Sequence, residues 1–138
     1  VGVRRSFAIA TYIAYALQHT QKRVHLVDGL GGMYREQLRS TRTGDALIAI
    51  SFPPFGQATL YATRVAQQHR ANVLAITESD LGPLARHSDV LLKVKEGSAF
   101  AFRGLTSTMC LCQALFVALA YKLELTVEET ISRGEYDD

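Results

Sequence analysis

Two arginines and a serine close to the start of the chain have the chemistry of an anion site. They lie in the run Gly2-Val3-Arg4-Arg5-Ser6, where a short apolar strand passes into a helical pattern. A helix N-terminus presents free amide groups and a partial positive charge, and guanidinium groups add paired donors, so phosphate is a suitable ligand. The same residues also fit a helix capped by Ser6 with solvated arginines. The spacing leaves both interpretations open.

A second polar group of candidates lies in the middle of the chain, between an apolar run and a helical pattern. The candidate ligand-binding residues there are Ser51, Gly56, Gln57 and Thr59. Gly56 allows a close backbone approach, whereas Pro53-Pro54 removes two of the amide donors from which a phosphate loop would be built. The alternative is a rigid connection that packs Phe52 and Phe55.

Thr77 ends the next apolar run and is the last candidate for ligand binding. Ser79 and Asp80, which follow it, are typical of a helix cap, so this loop ranks below the other two. All three loops follow predicted strands. Because open parallel α/β sheets bind ligands at the carboxyl ends of their strands, the fold should bring the loops to one edge.

The motifs of other chemistries are missing. Arg4 and Phe7 stand where a dinucleotide-binding loop needs its second and third glycines, and Tyr34 occupies the third position after Gly29 and Gly31. None of the four histidines has the spacing of a metal-ligand set, and no serine lies in a Gly-x-Ser-x-Gly elbow. We therefore predict no cofactor, no metal and no catalytic residue.

The composition is that of one globular domain spanning residues 1–138. The chain has 138 residues, 48% hydrophobic and 20% charged, which excludes a disordered or fibrous protein. Its net charge of +2 is too small to indicate nucleic-acid binding. It shows neither a signal peptide nor the roughly 20 apolar residues of a membrane span. With Cys110 and Cys112 read as buried, reduced thiols, we expect a soluble cytoplasmic protein.

Short apolar runs alternate with helical patterns. The chain opens in what looks like a strand clipped at residues 1–3, and runs of strand length follow at 24–27, 46–50, 73–77 and 90–94. Their nearly continuous apolar character indicates strands covered on both faces. The first helix is expected to begin after Ser6 and to bury Phe7, Ala10, Ile13 and Leu17. The predicted fold class is α/β, a three-layer α-β-α doubly wound sheet of five parallel strands, flavodoxin-like or Rossmann-like.

The last long helical pattern, Thr106–Lys122, is apolar on nearly every side. Such a helix must be buried, and an outer helix of a three-layer domain has one face left over, so we predict a homodimer through this helix. The alternative is cover by the chain's own tail or by a preceding segment. A capping box at Thr126 and Glu129 predicts a short terminal helix that ends at Gly134.

Four segments, taken in order, resemble the sugar isomerase (SIS) domain. More narrowly, they resemble the effector-binding half of RpiR-type (MurR/RpiR) bacterial transcription regulators. The segments are VGVRRSF at 1–7, DALIAISFPPFG at 45–56, NVLAITES at 72–79 and PLARHSDVLL at 83–92. The resemblance covers the chain from Gly2 to about Lys122. It implies a five-stranded parallel sheet, dimerisation through helices and a phosphosugar site at the strand ends.

The resemblance also assigns positions in the two loops. The family's first-loop serine corresponds to Ser6. Its next loop usually reads Ser-x-Ser/Thr-Gly-x-Thr, and here only Ser51 is kept, with Pro53-Pro54 and Gly56 at the other positions. The implied ligand is either a sugar phosphate held by the first loop or a less anionic carbohydrate derivative.

Regulators of this type carry an N-terminal helix-turn-helix domain, which nothing in this sequence resembles. We therefore predict the sensor domain of a transcription regulator, which would contact DNA only through a domain absent from this chain and whose ligand changes the dimer geometry. The alternative is an aldose–ketose sugar-phosphate isomerase on the same fold, which needs an acid/base group. Glu96 and His87 are the nearest nominees, and neither lies in a recognisable motif. We predict that the domain is not an enzyme.

Overall fold

The computed structural model describes residues 1–123, which form a parallel sheet between two layers of helices. The helices are α1 (Arg5–Gln18), α2 (Tyr34–Leu38), α3 (Gln57–Gln68), α4 (Pro83–Arg86) and α5 (Thr106–Lys122), with a 3-10 turn at Leu30–Gly32. The strands are β1 (Ala46–Ile50), β2 (Asn72–Thr77) and β3 (Val90–Lys93), followed by a hairpin of β4 (Ser98–Ala99) and β5 (Phe102–Arg103). The predicted helix at Thr126 lies outside the described residues. Within residues 1–123 no helix is long and apolar enough to span a membrane.

The main sheet has the order β1-β2-β3, and all three strands run parallel. Successive residues of the strands enter opposite layers, as the pleat requires. Ala49 and Ala75 pack into a cluster with α2, α3 and α4, whereas Ile50 and Ile76 pack into a second cluster with α1 and α5. The sheet is therefore covered on both faces, and the α/β class and the parallel sheet are confirmed.

The predicted number of strands is wrong, since the main sheet of the described residues has three strands and not five. Residues 1–3 contribute one parallel bridge, between Gly2 and Ile50. Residues 24–27 form no strand, although Val27 packs into one cluster and Leu26 against the other. A run of apolar residues reports burial, and the backbone pairing that defines a strand is a separate property. The sequence pattern cannot distinguish the two.

Helix α1 begins at Arg5, and the prediction that Ser6 caps it is wrong. Arg4 is the N-cap, with φ 54° and ψ −126°, and no side chain caps the helix. The Ser6 amide donates to the Val3 carbonyl at 3.2 Å, and the Phe7 amide donates to the Arg4 carbonyl at 3.0 Å. These backbone bonds satisfy the first amides, so the Ser6 side chain is not needed as a cap. Phe7, expected to be buried, is exposed.

Helix α5 has the predicted bounds, and within the described part of a single chain it is buried on one face. Thr108 and Cys112 are buried on the face toward α1 and the sheet, and burial raises the pKa of the Cys112 thiol to about 11. The opposite face is open, with Val117 60% and Tyr121 87% exposed. Cys110 is exposed there too, contrary to expectation.

Glu96 caps the start of α5 from the loop after β3. Its carboxylate accepts the Thr108 amide at 2.6 Å, the Ser107 amide at 3.3 Å and the Thr108 hydroxyl. Partial burial acts to raise the pKa of Glu96, but these hydrogen bonds, together with the charge of Arg5, outweigh it and hold the pKa below its ordinary value. An ionised carboxylate here also complements the positive end of the helix dipole.

Replacing Glu96 by Gln should destabilise the domain at neutral pH by about 1 kcal/mol, the usual worth of a helix cap. Because the folded-state pKa lies below the unfolded one, the stabilisation by Glu96 is complete above about pH 4.3 and is lost as the pH falls through the folded value. The difference in the free energy of unfolding between the wild type and E96Q should therefore decrease from pH 7 to pH 3. Urea unfolding followed by circular dichroism measures this difference. Glu78→Gln, at an exposed loop position, is the control. A difference in the free energy of unfolding that does not change with pH would contradict this role of Glu96.

Candidate ligand-binding site

A cavity of about 920 Å³ opens at the carboxyl end of β1. Its lining comes from four places: the turn at 3–6 before α1, the loop after β1 at 51–54 with Gly56, the hairpin at 101–103, and the start of α5 with the residues just before it, at 104–106 and 109. Helices α1, α3 and α5 all begin next to it, because βα connections of a parallel sheet lie at one edge.

The two loops expected to bind ligand are locked together at Gly56. A Cβ atom at this position would lie 2.2 Å from Cγ2 of Val3, so only glycine lets the loop approach the turn before α1. The Gly56 amide donates to the Ser51 hydroxyl at 3.2 Å and so closes the loop that contains the cis Pro53-Pro54 bond. The Ser51 hydroxyl accepts this bond, and its own proton is left for another acceptor.

Three guanidinium groups line the cavity and make it cationic. The Arg5 guanidinium lies 5.4 Å from the centroid of the Phe52 ring, a cation–π distance. Arg103 donates from Nη1 to the Pro53 carbonyl at 2.6 Å. Arg4 is exposed. The described part of the chain places no carboxylate in the cavity lining, so the charges around it favour an anionic ligand.

Main-chain amides contribute less to the site than the helix starts suggest. The Ser6 amide is bonded to Val3, the Gly56 amide to Ser51, and the Ser107 and Thr108 amides to Glu96. A ligand would have to displace these partners to reach them. The positive ends of the helix dipoles remain. The amides of residues 57–59, in the first turn of α3, have no hydrogen-bond partner within residues 1–123.

Five of the eight predicted ligand-binding residues meet at the cavity: Arg4, Arg5, Ser6, Ser51 and Gly56. Gln57, Thr59 and Thr77 are not part of its lining. Thr59 and Thr77 are fully buried, and their hydroxyl groups have no hydrogen-bond partner among the described residues.

The contribution of the β4-β5 hairpin to the cavity was not predicted from the sequence. Phe102, Arg103 and the α5 residues that begin at Leu105 line one side. A tight hairpin is usually recognised by Asn, Asp or Gly in its turn, and this one has Phe100 and Ala101 at φ 50° and 66°. Its position in the sequence could have predicted its place in the site. The segment follows β3 and must therefore reach the same edge of the sheet as the other loops.

Neither nominee for acid/base catalysis lies in the cavity lining. Both carboxylate oxygens of Glu96 are occupied as the cap of α5. His87 lies 3.0 Å through Nδ1 from Oε1 of Gln67, at the last turn of α3 and so at the opposite edge of the sheet. As far as residues 1–123 form it, the lining has no aspartate, glutamate, histidine, lysine, cysteine or tyrosine. Among residues 1–123 the arrangement therefore offers cationic and hydroxyl groups to a ligand.

The fold agrees with solved structures at low sequence identity. The sugar isomerase domain of the RpiR transcription factor from Sphaerobacter thermophilus is 20% identical, with a TM-score of 0.84, 95% of this chain and 72% of that chain covered. The Vibrio vulnificus NanR protein complexed with ManNAc-6P is 21% identical, with a TM-score of 0.73 and coverages of 95% and 52%.

A third similar structure belongs to a protein with an inferred enzymatic function. A Methanococcus jannaschii protein, for which the function of a 3-hexulose-6-phosphate isomerase is inferred, is 20% identical, with a TM-score of 0.77 and coverages of 96% and 73%. No curated protein matches the sequence significantly. The sequence matches the SIS domain family over residues 1–118, which is most of its length. The chain therefore belongs to the SIS domain family.

Proposed function

We propose that the chain is the effector-binding domain of an RpiR-type transcription regulator and that its ligand is a sugar phosphate. The observation that carries the proposal is a cavity at the sheet's carboxyl edge that holds three guanidinium groups and no acid/base group. Arginine pairs well with phosphate oxygens because its donors are planar and paired. The likeness to the RpiR transcription factor domain and to NanR supports the assignment.

The two sides of the cavity suit the two ends of such a ligand. Arg4, Arg5 and Ser6 form the side that takes the phosphate in this proposal, next to the start of α1. Phe52 and Met109 offer apolar surface, which packs against the carbon face of a sugar. The Ser51 hydroxyl has a proton available for a sugar oxygen.

An isomerase is the second candidate, favoured by the likeness to the Methanococcus protein. Moving a proton next to a carbonyl needs a side chain that gives or takes it within hydrogen-bond reach. The cavity lining offers none, so we propose a binding domain without catalytic activity. A regulator of this kind works in the cytoplasm, where its operator DNA is, and contacts DNA through a domain that this sequence does not contain.

The outer face of α5 is the surface through which we propose a homodimer. Cys110, Val117 and Tyr121 are exposed there, with Ala114 and Ala118 between them. The same helix begins in the cavity wall at Thr106 and Met109. A ligand that fits one position of α5 better than another therefore favours one dimer arrangement.

The ligand assignment predicts a selective rise in melting temperature with one sugar phosphate. The panel is glucose 6-phosphate, N-acetylmannosamine 6-phosphate, 6-phosphogluconate, the unphosphorylated sugars and inorganic phosphate, each checked for product. A ligand of the native state stabilises it by RT ln(1 + [L]/Kd). Arg5→Ala should weaken binding of the hit about tenfold or more, and Arg64→Ala on the exposed surface of α3 should not. An equal shift with the unphosphorylated sugar, or conversion of the hit, would contradict the proposal.

The dimer assignment predicts that Val117→Glu produces a monomer, because a charge would be buried without a partner. Light scattering after gel filtration should give twice the mass of one chain for the wild type and the mass of one chain for the variant. The control is Leu81→Glu, at a highly exposed loop position. A monomeric wild type, or a dimer that survives V117E, would show that this face of α5 is not the interface.

A further inference from the structure

We propose that Arg4 is a specificity-determining residue, kept in a strained backbone position because its guanidinium binds the phosphate of the ligand. The inference rests on the proposed function and deepens it, since it assigns the charged group of the ligand to one side chain. It also predicts that the domain is less stable with Arg4 than it would be with glycine.

The strain is visible in the backbone of Arg4. Its φ of 54° and ψ of −126° are those of the first central residue in a type II′ turn, which the Ser6 amide closes on the Val3 carbonyl at 3.2 Å. Glycine is the usual residue there because a Cβ atom is crowded by the backbone. With this ψ, Arg4 lies outside the left-handed helical region in which some side chains are tolerated.

Nothing in the described protein compensates for this strain. Arg4 makes no side-chain hydrogen bond, ion pair or cation–π contact within residues 1–123 and is exposed. The other two arginines of the cavity have protein partners, Arg5 at the Phe52 ring and Arg103 at the Pro53 carbonyl. Arg4 is therefore the cavity guanidinium that has no protein partner within residues 1–123. Strain at a binding site is expected where function requires the residue.

The loop after β1 explains why this charge is needed. Pro53-Pro54 has no amide donor to offer, and the Gly56 amide is bonded to Ser51. A phosphate monoester brings two negative charges, and its oxygens must find donors elsewhere in the cavity. Arg4 supplies paired donors from the turn before α1. The ligand class that requires Arg4 is a doubly charged phosphate ester, in contrast to a neutral sugar.

Two substitutions at Arg4 separate backbone strain from side-chain function. Arg4→Gly removes both, and it should raise the melting temperature by about 3–6 °C while weakening binding of glucose 6-phosphate and inorganic phosphate at least tenfold. Arg4→Ala keeps a Cβ atom, so it should weaken binding equally without the gain in stability. The measurements are differential scanning calorimetry and isothermal titration calorimetry, with glucose as the uncharged comparison.

Arg70 provides a matched control, because it is an exposed arginine with φ 57° outside the cavity. Arg70→Gly should raise the melting temperature and leave phosphate binding unchanged. If R4G binds both probes as tightly as the wild type, Arg4 does not hold the phosphate, although the cavity would still be a sugar-phosphate site. If R4G is no more stable than R4A, the strain is absent. A wild type that binds neither phosphate probe overturns both this inference and the proposed function.

Discussion

The close approach of Gly56 to Val3 sets the geometry on which the site depends. A Cβ atom at Gly56 would lie 2.2 Å from the Val3 side chain, so the loop after β1 and the turn before α1 meet only because this residue is glycine. The contact brings the hydroxyl groups of Ser51 and Ser6 and the first two arginines to one cavity.

Electrostatics then determine what the cavity can do. The cap formed by Glu96 consumes the first amides of α5 and places a carboxylate behind the cavity wall, close enough to Arg5 for the two charges to interact. The cavity lining itself keeps positive groups and no acid. This distribution of charge favours an anionic ligand in the cavity. Helix α5 starts in the cavity wall and carries an exposed apolar face further along its length. Its position therefore connects the ligand-binding cavity to the proposed dimer surface.

Much of the framework could be predicted from the sequence. The bounds of α5 and β1 follow from continuous apolar runs of helix and strand length, and the placing of Arg4 and Ser51 at one sheet edge follows from parallel topology. Residues 24–27 were misread because burial does not imply pairing. Thr59 and Thr77 lie outside the cavity lining, and the polarity of a side chain does not tell which side of a helix or strand end it occupies. Ser6 failed as a cap because the positive φ of Arg4 gave α1 a backbone turn instead.

The central claim is that a sugar phosphate binds in the arginine-lined cavity. Its most direct test is chemical-shift mapping of the ¹⁵N-labelled domain during titration with a sugar phosphate that stabilises it. We predict that the amide signals of residues 4–6, Gly56 and Arg103 move together and saturably, and that the signals around His87 at the opposite sheet edge stay in place. Saturable shifts confined to another surface, or none in these residues, would contradict the account.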